Sequence, residues 1–313
     1  MMLEPRSPDL QDEIAQLEAR LQTLRSQLDV SQLLNPPSSH PEVKTQWTLL
    51  TDINNKFQSD AVRSSSLHAL LLLSDSALPL GSFAYSSGLE SYLAHNKPFR
   101  ANQLALFHRF LRLSIASIAS TSLPYVLAGY RRPETIETLD NDLDASTPCI
   151  VAQRASVAQG RALIGVWERA FRASFAGHGA RTDPGAKVAA TSIDDFSDAL
   201  KSLSIDADDL GPKGHFAPLW GVVCRAMGLD LQQTAYIFVM NHAKAVLSAA
   251  VRASVMGPYQ AQNILASESL QDTMMARIKR EWHTEVEEAG QVVPALDLWV
   301  GRHELLYSRI FNS

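Results

Sequence analysis

From Leu67 to the end of the chain, apolar residues return every three or four positions, and no comparable run alternates apolar with polar as a half-buried strand does. Leu104, Phe107, Leu111, Ile115 and Ile118 mark one face of a long helix. Val157, Ile164 and Phe171 lie seven apart on a second, with Gly160 and Trp167 between them. Leu231, Ala235, Phe238, His242, Ala245 and Ala249 step by four and three along a third, which runs to about Met256. Of the 313 residues, 46% are hydrophobic, ample for a core. The pattern predicts an all-α fold, a compact bundle of roughly eight to ten helices.

Two polar stretches interrupt the periodicity. One is "RRPETIETLDNDLDASTP"; the other, Gly177 to Gly214, is too long for an ordinary loop and reads as mobile surface with one short helix near Asp194 to Leu203. Ahead of the bundle, Ile14, Leu17, Leu21, Leu24 and Leu28 form an a/d seam of barely two heptads, and "NPPSSHP" (Asn35 to Pro41) cuts it off. Residues 1–62 therefore read as a heptad helix and linker appended to a domain spanning 63–313.

The first residues, acidic and polar from Glu4 to Glu13, lack the basic and apolar regions of a secretory signal. The best membrane-span candidate, "TAYIFVMNHAKAVLSAAV", is broken by Asn241, His242 and Lys244. A cytoplasmic chain without a membrane partner is expected. A net charge of -5 and a pI near 6.0 argue against nucleic acid. Cys149 and Cys224, with no cysteine neighbours, read as reduced thiols.

The sequence carries no recognisable catalytic signature. Ser86 and Ser87 miss Gly-x-Ser-x-Gly, and Gly81 to Gly88 has neither the spacing nor the lysine of a P-loop. The nine histidines show no His-x-His or His-x3-His pairing, so no metal or cofactor site is predicted. A site assembled from distant helices stays open, with convergence of His95, His108, His215, His242 or carboxylates as its mark. A coiled-coil scaffold centred on residues 9–34 is the other alternative. The first expectation is a non-catalytic binding protein.

Ser74 to Glu90, "SDSALPLGSFAYSSGLE", follows the run Leu70 to Leu73. Pro79 should end the preceding helix and Gly81 allows a tight turn. Ser82 fits as N-cap of the next helix, or Ser87-x-x-Glu90 as its capping box if it starts a turn later. Within that helix Gly88 would let another chain approach, and Tyr85 and Tyr92 would share a side.

These residues also resemble a known family. "LLLLSDSALPLGSFAYSSGLESYL" is similar to the opening of urease accessory protein F, and "RASVAQGRALI" (Arg154 to Ile164) resembles one of its helices. The block from His215 through Leu265 looks like the family's centre, and "RHELLYSRIFNS" like its chain end. Val255-Met256-Gly257-Pro258 stands where many bacterial members read Pro-Leu-Gly-Gln, which resembles the eukaryotic variant.

The resemblance implies an all-α homodimer that bridges two partners, the D/H accessory protein and the nickel-binding GTPase G, and docks on apo-urease. Nickel and GTP would be handled by that complex, with no cofactor of the chain's own. It makes the corner a dimer and partner surface through Pro79, Gly81, Ser82, Tyr85, Gly88 and Glu90. Arg252, on the stripe Ala245, Ala249, Arg252, is assigned to the GTPase side, with Tyr236 and Met240 as further interface residues. The apolar tail wants a groove, which by resemblance belongs to the D/H partner, with Tyr307 and Phe311 as anchors and Arg309 as a charged lock. The alternative is a tail folded back on its own helices.

Overall fold

A computed structural model of the chain describes residues 19–20, 66–96, 103–176, 183–202 and 211–312. The chain divides into two units, 1–61 and 62–313. Of the first, only Ala19 and Arg20 are described, both helical and exposed. The predicted heptad seam and the linker after it otherwise lie outside the described residues.

The second unit is helical, with no strand among its described residues. After a helical segment at 66–74 come α1 (Leu89–His95), α2 (Gln103–Thr121), α3 (Leu123–Arg131), α4 (Ile136–Ser146) and α5 (Ile150–Val166). α5 runs through a π-helical turn, Trp167–Phe171, into a last turn, Arg172–Phe175. Then follow α6 (Pro184–Ser202), α7 (Phe216–Ala226), α8 (Leu231–Arg252), α9 (Pro258–Leu265), α10 (Glu268–Glu281) and α11 (Pro294–Arg302).

The centre is α7. Its sequence, FAPLWGVVCRA, is apolar on every side, so it has no face to give to water and is buried almost along its length. α3, α5 and α6 pack around it. Gly221 sets the closest approach: a Cβ there would lie 2.1 Å from the Val126 carbonyl oxygen, so the α3 contact requires glycine. α8 begins with a capping box, Asp230 accepting from the Gln233 amide while the Gln233 side chain accepts from the Asp230 amide. Asn241 donates to the Leu73 carbonyl at 2.9 Å, tying α8 to the segment 66–74.

Gln103–Arg131, spanning α2 and α3, is apolar and long enough to cross a membrane, but 72% of its most apolar window is buried against other helices.

Both polar stretches differ from expectation. "RRPETIETLDNDLDASTP" is largely helical, a 3-10 turn (Pro133–Thr135) leading into α4, which buries Ile136, Leu139, Asp140 and Leu143. Those positions carry a helical spacing that five acidic residues obscure. In the second stretch, α6 is 19 residues long and sends Ala189, Ile193 and Phe196 into the core. Its inward face is mostly alanine and serine, which hydropathy undervalues but close helix packing uses.

Candidate functional site

The corner after segment 66–74 is built by three residues with positive φ. Gly81 (φ 70°) opens a 3-10 turn, Ser82–Ala84, and Ser87 (φ 53°) and Gly88 (φ 84°) turn the chain into α1. Both capping expectations change here. Ser82 does not cap α1; its hydroxyl donates to Gln159 on α5 at 2.9 Å. The N-cap is Gly88, left-handed and without a side-chain bond, and the Ser87/Glu90 capping box does not form. Gly88 packs closely within its own chain: a Cβ would meet Val300 of α11 at 3.1 Å. Tyr85 is extended and lies outside the helix. Tyr92 is buried between Phe110 and Trp299, at ring-centroid distances of 5.1 and 4.5 Å. Pro79 is exposed at the surface.

Glu90 is turned toward the C-terminus. Its carboxylate accepts from His303 Nε2 (2.9 Å), the Ile310 amide (2.8 Å) and the Phe311 amide (3.2 Å). The Asn312 amide donates to the Ala84 carbonyl at 2.8 Å. Phe311 is 4% exposed, with the Arg252 guanidinium 4.5 Å over its ring. Phe311 is thus an internal anchor, as apolar area near a chain end requires when a groove lies within its own subunit. Leu305, Tyr307, Arg309 and Ile310 remain exposed on the same tail.

The structure therefore unites Glu90, Arg252 and Phe311, which the sequence spread over separate surfaces. Tyr236 and Met240 are half-buried against the core, Met240 about 18 Å along α8 from Arg252.

Behind the corner lies a cavity of about 350 Å³. Ser82, Tyr85 and Ser87 form one wall, Ser114, Ser117 and Thr121 of α2 another, and Asn241, His242 and Lys244 of α8 a third. His242 Nε2 lies 2.7 Å from the Ser114 hydroxyl. Burial pulls its imidazole down to about 4, so it is neutral at pH 7. Burial also lowers Lys244, against the opposing pull of Asp75, and its ammonium donates to the Ser74 carbonyl. Asp297 is raised by burial, eased by the Gln291 amide. Among the described residues no three His, Cys, Asp or Glu side chains gather as a metal site.

A second constellation gathers on His215, one of the histidines singled out in the sequence, with partners that the sequence did not reveal. Asp140, fully buried on α4, accepts from the backbone amides of Lys213, Gly214 and His215 at 2.5–3.1 Å. His215, also fully buried, sits between Asp144 (Nε2 to Oδ1, 3.0 Å) and Ser156 of α5 (Nδ1 to Oγ, 3.0 Å). Arg161 Nε donates to the Lys213 carbonyl at 2.8 Å. A Cβ at Gly160 would lie 2.1 Å from the Gly214 oxygen, so α5 meets this loop backbone to backbone. The residues of "RASVAQGR" are thus the seat of the segment 213–216. The overlooked signal was Asp140 and Asp144, four apart and hence on one helix face.

An α-helical protein, wrapped on an apolar central helix with a cavity behind a serine-rich corner, is what these features define. The chain belongs to the UreF family, whose model matches residues 103–268, from the start of α2 into α10. A urease accessory protein UreF-like relative from Schizosaccharomyces pombe is 37% identical, the match covering 79% of this chain and 97% of that protein. Urease accessory protein F of Arabidopsis thaliana is 31% identical (77% and 90% covered), and that of Oryza sativa subsp. indica 30% (80% and 87%). The expected family and all-α class are those observed.

Proposed function

We propose that this chain serves urease maturation in the cytoplasm as a homodimeric scaffold. It bridges the D/H accessory protein and the nickel-binding GTPase G, and presents the assembly to apo-urease. Its share of nickel delivery is recognition and regulation of GTP hydrolysis; nickel and GTP belong to its partners. Support comes from membership of the UreF family and from relatives named urease accessory proteins.

The observation that carries the reading is the tail. Glu90 holds its backbone in place while Leu305, Tyr307 and Ile310 stay exposed. An ordered apolar strip facing water is a docking feature, with Tyr307 as the aromatic anchor and Arg309 beside it. Arg252, stacked on Phe311, joins the tail to the end of α8, the side that this reading gives to the GTPase.

The test is co-purification with the D/H protein and the GTPase, comparing the full chain, a chain ending at Arg302 and Tyr307→Ala. The full chain should retain both partners, and both altered chains should lose D/H. Failure of the full chain to retain either partner would overturn the bridging role.

A further inference from the structure

We propose that Ser156 is an activated nucleophile and that the cavity beside it accepts a small acyl or phosphonyl group, an activity separate from partner bridging. Nucleophilic serines are recognised by geometry: a base within hydrogen-bond reach of the hydroxyl, and a third group orienting the base. Ser156 Oγ lies 3.0 Å from His215 Nδ1, and His215 Nε2 lies 3.0 Å from Asp144 Oδ1. With the proton on Nε2 facing the carboxylate, the Nδ1 lone pair is left for the serine hydroxyl. That tautomer satisfies all three groups at once.

Position supports the assignment. His215 is fully buried and held by its own amide to Asp140, so the base cannot swing away. Ser156 is only half-buried and lines the cavity of about 350 Å³, within the range of small-ligand sites. The N-terminus of α7 opens at the same place. The Phe216 amide already donates to Ser156 Oγ at 3.2 Å, and Ala217, next in the first turn, also lines the cavity. First-turn amides have no acceptor within their helix, and the proposal gives the negative charge of the tetrahedral oxygen to this end of α7.

The step balances without a co-reactant. Ser156 Oγ forms a bond to the acyl carbon while His215 Nδ1 takes the hydroxyl proton. The leaving group departs with its electron pair and receives that proton from the imidazolium, which Asp144 stabilises. Water, deprotonated by the same imidazole, then cleaves the acyl-serine ester.

The full-length protein is incubated with a fluorophosphonate, which forms an Oγ–P bond and expels fluoride, and is analysed by intact mass and peptide mapping. One adduct on Ser156 is expected, absent from Ser156→Ala and formed at least about tenfold more slowly in Asp144→Asn. p-Nitrophenyl acetate should be hydrolysed in the same order of variants. No adduct on the wild-type chain, or one mapping elsewhere, overturns the proposal and leaves Ser156 as a clamp for residues 213–216. Mapping on the wild-type chain decides this even where a variant fails to fold, and no outcome depends on the urease partners.

Discussion

Arg252 lays its guanidinium over the ring of Phe311, 4.5 Å from the ring centroid. The last turn of α8 is thereby closed by a residue 59 positions later in sequence, and Glu90 of α1 fixes the backbone of the same residue. A cation over an aromatic face is worth roughly 1 kcal/mol when partly exposed. Hydrogen bonds to a carboxylate contribute about 1.5–3 kcal/mol. Glu90 is therefore the stronger half of the clasp.

Glu90→Ala should free the tail. Hydrogen exchange at the Ile310 and Phe311 amides should accelerate by about tenfold or more, while core amides of α7 keep their protection. Arg252→Ala should release the same amides to a smaller degree.

Asp140→Ala would strand three backbone N–H groups that it satisfies, two of them on the fully buried His215 and its neighbour Gly214. A loss of about 3 kcal/mol or more in urea unfolding is expected. Asp140→Asn, which keeps one acceptor oxygen, should lose less.

Gly160→Ala places a methyl against a backbone oxygen that cannot rotate away. Overpacking of this kind costs about 1–3 kcal/mol. The upper end is expected here, read as a lowered melting temperature.

The depressed imidazole of His242 gives stability a pH dependence. The ordinary value of 6.5 holds in the unfolded chain and about 4 in the folded one, so the unfolded chain binds the proton more readily. This stabilisation is complete above about pH 6.5 and is lost as pH falls toward 4. It amounts to at most about 3 kcal/mol, less where water in the cavity screens the ring. His242→Gln should flatten the unfolding free energy across that window.

Most of the helical architecture was legible because apolar periodicity survives in α2, α5 and α8 whatever their partners. Where the inward face is short-chained, as Ala186, Ala189 and Ala190 are in α6, or shared with a buried acid such as Asp140 in α4, the pattern fades and the segment resembles surface. The corner was placed correctly but its caps were not, because Gly88 caps by conformation and leaves no side-chain signature. The clasp among Glu90, Arg252 and Phe311 joins residues 59 to 221 positions apart, and no local spacing encodes such a meeting. The Ser156, His215 and Asp144 relay was hidden for the same reason.

The π-helical turn at Trp167–Phe171 gives α5 two addresses. Such a turn holds one residue more than an α-helical turn, so side chains beyond it are rotated by about 100° from where an unbroken helix would point them. Upstream, Ser156 and Gly160 face the loop that feeds α7. Within and beyond the turn, Glu168 reaches Ser197 at 2.6 Å and Arg172 reaches Asp194 at 2.8 Å, both on α6. One continuous helix thus clamps two neighbours that no single stripe could serve, and deleting a single residue there would keep the helix while turning α6's ion-pair partner away from it.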